Sequence, residues 1–208
     1  MITLYHAPQS RSGRILWMLE EIGTPYEIRP VSIFRPMTGE GAGDPANPHP
    51  DMRVPAIDHD GVVVSESVAI VLYLSDAFPD AGLGPVVGDA DRGIYLTWLA
   101  WYATEFEQAM FAAMSGKLQD SPNSQRDYDA VLRRLETALR EGPYLMGAQF
   151  SGADILVGSA LGFGRTAFPD RPILDAYVER CRARPAAQRG VALDTASGMQ
   201  GPVEAALP

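Results

Sequence analysis

Three short stretches of this chain set reactive or binding side chains beside a helix start or a kinked backbone. Ser10-Arg11-Ser12-Gly13-Arg14 places two hydroxyls just ahead of an apolar helical pattern. A serine there can cap the helix by accepting a backbone N–H. It can also donate its proton to an anion held at the helix N-terminus, where unpaired N–H groups favour negative charge. Ser65-Glu66-Ser67 stands ahead of a second apolar helix. Read plainly it is a cap with a favourable first-turn acid; read chemically, Glu66 suits an ammonium group, and Ser67 with the helix N–H groups suits a carboxylate. Val54-Pro55 can offer the Val54 backbone N–H and C=O to an extended peptide. The plain alternative is an ordinary trans proline at a strand edge.

The elements that must hold these stretches are visible in the hydrophobic pattern. Residues 2–6 predict a strand, with Ile2 and Leu4 on one face. Ile15, Leu19 and Ile22 recur at helical spacing over 12–22, and Gly23 follows as a stop. Residues 26–31 alternate again, and 34–52, rich in Gly, Pro and Asn, read as an irregular loop. The β-branched runs 54–57 and 62–64 flank an Asp60-Gly61 hairpin signal, and an apolar helix covers 68–77. The order is β-α-β, an irregular connection, then β-β-α. Residues 81–88 form a Gly- and Pro-rich linker between a first domain, 1–80, and a second, 89–208.

Strand patterning disappears after the linker. A long helix over 89–117 carries Tyr95, Trp98, Leu99, Tyr102, Phe106 and Met110, and a second over 125–141 lines up Tyr128, Val131, Leu132, Leu135 and Leu139. Phe150-Ser151-Gly152-Ala153-Asp154-Ile155 reads as a helix start, with Ser151 as N-cap, Asp154 at the third position and Phe150 and Ile155 as a hydrophobic staple. A last helix is expected near 173–184, and the pattern assigns nothing after Arg189.

The 208 residues suit two domains. A net charge of −9 and a pI near 4.8 argue against nucleic acid as a partner, since a phosphate backbone is held by clustered Lys and Arg. The longest clean apolar run, 68–74, is too short to span a bilayer, and Met1 is not followed by a basic segment and an apolar stretch; a cytoplasmic protein without a membrane partner is expected. The single cysteine, Cys181, fits a reducing compartment, and His6, His49 and His59 show no ligand spacing, so no metal is expected.

Taken together, this order and these motifs resemble the cytosolic glutathione transferase family over nearly the whole chain. The stretch from Ser10 to Trp17 looks like the catalytic loop of serine-type, theta-like and related bacterial members. Val54-Pro55 matches the family's cis-proline, Glu66-Ser67 its helix opening, and Tyr144-Leu145-Met146-Gly147 with Phe150 to Ile155 its capping motif in the helical domain. The resemblance implies an α/β thioredoxin-like N-terminal domain that binds glutathione and an all-α C-terminal bundle.

It also implies roles. Glu66 and Ser67 would hold the γ-glutamyl end of glutathione, Val54 and Pro55 its cysteinyl backbone, and Arg53, preferred over Arg11 and Arg14, would add positive potential. Ser10 is preferred over Ser12 as the hydroxyl that stabilises the thiolate; Tyr5 is a distant third. The implied reaction conjugates reduced glutathione to a small apolar electrophile, in a homodimer, with glutathione as co-substrate. Trp98, Trp101, Tyr102, Phe106, Met110 and Phe111 supply candidates for an electrophile pocket, most of them expected in the core. Two alternatives stay open: glutathione-dependent reduction of peroxides or mixed disulfides, and a non-catalytic binding or dimerisation module on the same fold.

Overall fold

Asp60 and Gly61 both take positive φ, 52° and 88°, the backbone that a two-residue hairpin requires and that Asp-Gly tolerates. Around them β3 (Ala56–His59) and β4 (Val62–Ser65) pair with His59 opposite Val62. In this computed structural model, which describes residues 1–196 and 201–203, β1 (Ile2–His6) runs antiparallel to β3 and parallel to β2 (Tyr26–Pro30). A parallel pair needs a crossover, and α1 (Gly13–Ile22) supplies it. The hairpin is followed by α2 (Ser67–Ala77). Ile2, Leu4, Ile28 and Ile57 from the sheet, and Ile15, Leu16, Leu19, Ile70 and Leu74 from the helices, are buried. This is a thioredoxin-like unit, and β3 begins at Ala56 rather than at residue 54, which leaves Val54-Pro55 in the loop ahead of it.

The chain falls into two units, Met1–Ala81 together with the segment from Arg184, and Gly82–Ala183. The sequence pattern predicts one helical domain over 89–208, whereas the closing segment from Arg184 belongs to the first unit. There α8 (Pro185–Thr195) packs on α1, and a short strand, β5 (Gly201–Val203), extends the sheet to the order β4-β3-β1-β2-β5. Gly190 lets the two helices approach closely, since a Cβ there would lie 3.0 Å from the Trp17 backbone. Arg184 grips both carboxylate oxygens of Glu21 at 2.6 and 2.8 Å, and Arg189 bonds Glu20 at 2.6 Å. The start signal for α8 was present in Pro185, which fills the first helical turn without losing a hydrogen bond.

The other unit is helical. The long helix expected over 89–117 is α3 (Arg92–Trp101), a π-helical turn at Tyr102–Phe106, and α4 (Glu107–Met114). The wide turn shifts the facing of the side chains, so that Phe106 stacks on Phe168, which in turn stacks on Tyr128 of α5 (Pro122–Glu141). Helix α5 starts three residues earlier than expected because Ser121 caps it, its side chain accepting from the Asn123 N–H, with Pro122 in the first turn. The core helix α6 (Gly152–Phe163) and α7 (Pro172–Arg182) complete the unit. Among the described residues, no helix is long and apolar enough to cross a membrane.

Candidate active site

Strand register brings the three chemical stretches to one end of the sheet. β1 leaves the sheet at His6, one residue past Tyr5; Tyr5 lies opposite Ala56, and Ala56 lies opposite Ser65. The loop carrying Ser10 and Ser12, the Val54-Pro55 loop and the Glu66-Ser67 helix start must therefore share that end. The Val54-Pro55 bond is cis. Val54 packs on a small buried cluster of Tyr5, Val31 and Ala56. Tyr5 is thus a core residue whose ring also lies under the Arg29 guanidinium, 5.6 Å from its centroid.

Neither loop serine caps α1 with its side chain. Ser12 already has helical backbone angles and its hydroxyl turns inward, fully buried, to lie 2.8 Å from His6 Nδ1 and 2.8 Å from Ser10 Oγ. Ser10 is half-buried; its hydroxyl donates to the Ala7 carbonyl at 2.7 Å and accepts from the Ser12 N–H at 3.2 Å. Of the two, Ser10 is the hydroxyl a ligand can reach. The helix itself starts on backbone groups, with the Ile15 and Leu16 N–H groups donating to the Ser12 carbonyl.

At the second helix start the backbone is strained. Glu66 precedes α2 with φ 71° and ψ 127°, a conformation that L side chains rarely adopt and that costs about 1–3 kcal/mol. Such strain persists where surrounding contacts enforce it, and it collects at ligand sites. No side-chain hydrogen bond caps this helix; the Glu66 carbonyl instead accepts from the Ile70 N–H. The Glu66 carboxylate is exposed, while Ser67 beside it is buried.

Asn47, to which the sequence pattern gave no role, and His49, read there only for metal spacing, support this end. Buried Asn47 donates from its side chain to the Arg53 carbonyl at 2.8 Å and accepts from the His49 N–H at 3.1 Å. His49, also buried, accepts the Asp51 N–H on Nδ1, so its neutral ring carries its proton on Nε2, 3.8 Å from the Glu66 carboxylate. The aperiodic loop therefore sets the backbone that leads into Arg53 and Val54. The Arg53 side chain is exposed. The burial of Asn47 and His49 had no signal in an aperiodic, Pro-rich segment, where no side-chain period marks a buried face.

Of the pocket candidates, Trp98, Trp101, Tyr102, Phe106 and Met110 are buried in the helical unit and only Phe111 is exposed. They form an aromatic core, with Trp98 edge-on to Trp101 and Trp101 against Phe106. Cys181 is buried on α7, facing Gly158.

Residues 1–76 match the glutathione S-transferase N-terminal domain and residues 100–183 the C-terminal domain. A crystal structure of a glutathione transferase from Methylococcus capsulatus is similar at a TM-score of 0.75 and 30% identity, covering 93% of this chain and 98% of that one. A sphingomonad glutathione S-transferase complexed with glutathione aligns at a TM-score of 0.74 and 27% identity, over 94% of this chain and all of the other. Glutathione S-transferase 3 of Schizosaccharomyces pombe is 39% identical over 74 residues, 36% of this chain, which spans only 29% of that protein. With both domains matched in order, and with the thioredoxin-like unit, cis-proline and helical unit in place, the chain belongs to the cytosolic glutathione transferase superfamily.

Proposed function

We propose that this protein binds reduced glutathione at the shared end of the sheet and activates its thiol for attack on a small apolar electrophile. The observation that carries the reading is the convergence there of a reachable hydroxyl, Ser10, a cis Val54-Pro55 and a strained acid, Glu66, ahead of α2. Glu66 takes the ammonium and Ser67 with the α2 N-terminus takes the carboxylate of the γ-glutamyl end. The Val54 backbone pairs with the cysteinyl residue, and Arg53 adds positive potential. The glutathione-complexed neighbour and the relatives named as glutathione transferases support the ligand assignment.

A free thiol ionises near pKa 8.5, so lowering it by about two units takes about 2.7 kcal/mol in favour of the thiolate. A hydroxyl donating to the anion supplies about 1.5–3 kcal/mol and the α1 N-terminus about 0.3–1 kcal/mol. One serine beside one helix start is sufficient. Ser10 need not ionise for this; its neutral hydroxyl donates to the thiolate.

Isothermal calorimetry with reduced glutathione tests the site, run on wild type, Glu66→Ala and Ser10→Ala. Wild type is expected to bind in the micromolar to low-millimolar range, Glu66→Ala to lose binding, and Ser10→Ala to bind without the ultraviolet absorbance of a thiolate. A wild type that releases no heat with glutathione would sink the reading. The assembly that goes with it is a homodimer, which sedimentation of the purified chain measures.

A further inference from the structure

Behind the two loop serines lies a buried imidazole with a carboxylate on its far side. His6, the last residue of β1, is 4% exposed. Its Nδ1 is 2.8 Å from Ser12 Oγ, and Ser12 Oγ is 2.8 Å from Ser10 Oγ. Its Nε2 is 3.4 Å from Asp194 Oδ1 and has no hydrogen-bond partner among the described residues. Asp194 stands in the last turn of α8, where the helix dipole disfavours an acid, so its placement answers to something outside its own helix. Its two oxygens also accept the Gln9 N–H, at 3.2 and 3.1 Å, and Gln9 is itself held at a positive φ of 54°. The catalytic loop is thus tied to α8 from beneath.

The direction of the chain follows from what each group can do. A carboxylate only accepts, so the proton on the neutral His6 ring belongs on Nε2, facing Asp194. That leaves Nδ1 bare to accept the Ser12 O–H in preference to the more distant Ala7 carbonyl at 3.2 Å, and Ser12 Oγ can accept the Ser10 O–H once Ser10 turns it from the Ala7 carbonyl. Burial pushes the His6 imidazole below its ordinary pKa, partly offset by the Asp194 charge, so the ring is neutral at rest with a lone pair available. Arg35, from the loop after β2, donates to the Pro8 and Gln9 carbonyls, and the serine loop itself carries Arg11, exposed, with Arg14 following in the first turn of α1. Ser12 is too deeply buried to serve as a nucleophile, so the Asp-His-Ser line is not a hydrolytic triad.

We infer that His6 receives the thiol proton of bound glutathione through the Ser10 and Ser12 hydroxyls and that Asp194 holds the resulting imidazolium, an assignment that rests on the glutathione reading above. The S–H bond breaks with its electron pair left on sulfur, and the proton passes to Ser10 Oγ. Ser10 passes its own proton to Ser12 Oγ, and Ser12 passes its own to His6 Nδ1. Both serines end neutral, Ser10 now donating to the thiolate, and no proton leaves for solvent. The thiolate and Asp194 charges flank the imidazolium and offset the burial that disfavours it at rest. When product leaves, the proton returns along the same path.

Counting protons tests this. Glutathione binding is measured calorimetrically at pH 7 in two buffers of different ionisation enthalpy, with bound thiolate quantified by its ultraviolet absorbance. Wild type is expected to form thiolate while releasing well under half a proton per thiolate. His6→Gln and Asp194→Asn, checked for folding by circular dichroism, are expected to bind glutathione within about threefold of wild type. In these variants the bound thiol pKa should rise by about one unit, a tenfold loss of thiolate at a given pH, and the thiolate that remains should form with close to one proton released. Release of one proton per thiolate by wild type, or unchanged thiol pKa and proton count in both variants, overturns the inference while leaving glutathione binding intact. Absence of any binding by wild type overturns both readings. If His6→Gln does not fold, the wild-type count and Asp194→Asn decide.

Discussion

At two helix starts in this molecule a buried serine stands in a polar line that ends on an aspartate, from the same helix at α6 and from α8 at α1, and the two are built to opposite ends. At α6, Asp154 is fully buried and saturated: one oxygen accepts the Leu145 N–H at 2.9 Å and the Tyr177 hydroxyl at 3.0 Å, the other the Ser151 N–H at 2.9 Å and the Ser151 hydroxyl at 3.0 Å. At α1, the chain from Asp194 through His6 and Ser12 stops at a half-buried hydroxyl and leaves His6 Nε2 poorly paired. A closed network can only hold structure, because no group in it has capacity left for a ligand. An open one stores that capacity where a ligand arrives. The same residue types thus close a structural network in the helical unit and, in the thioredoxin-like unit, leave an open one at the proposed glutathione site.

The comparison breaks most visibly at the closed end. Asp154→Ala strands the Leu145 and Ser151 N–H groups and the Tyr177 hydroxyl, and is expected to cost about 3–5 kcal/mol in urea unfolding. Next in size is a pH effect. Burial lifts the Asp154 carboxyl to about 6, above its ordinary 3.8, despite the hydrogen bonds that favour its anion. The folded state therefore binds more protons than the unfolded state between those values, and stability is lost as pH rises from about 4 to about 6, by about 3 kcal/mol relative to Asp154→Asn. Unfolding curves of the two proteins at several pH values measure it; a constant gap would contradict the buried titration.

At the open end the effects on stability are smaller. Glu66→Gly relieves the strained φ and is expected to raise stability by about 1 kcal/mol while weakening glutathione affinity at least tenfold, a trade that unfolding and calorimetry read separately. The least change is expected from Gly13→Ala, whose new Cβ would lie 3.2 Å from Asp194 Oδ1. The carboxylate must give by a few tenths of an ångström, so stability should move by less than about 1 kcal/mol. Any larger response would be expected in the bound thiol pKa, where the line through His6 reports it.

Local features were legible in advance. The β1 alternation, the Asp60-Gly61 hairpin and the Ser151-Asp154 helix start are decided within a few residues, by side-chain period and by which polar groups can reach a neighbouring N–H. Val54-Pro55 and Glu66-Ser67 were legible as motifs, while the φ of Glu66 was not, because nothing in an acid's local preference asks for it. The π turn at Tyr102–Phe106 was hidden since an apolar pattern on several faces fits an unbroken helix equally well. His6 and Asp194 stand at opposite ends of the chain, and no periodicity spans that separation.

What the sequence by itself determined is therefore the run of elements, the local caps and the motifs of the family. The packing of α8 on α1, the inward turn of Ser12 and the meeting of His6 with Asp194 were decided only in the tertiary structure. The physical reason is that these contacts join groups distant in sequence, brought together by burial of apolar faces on a sheet whose register no short segment specifies.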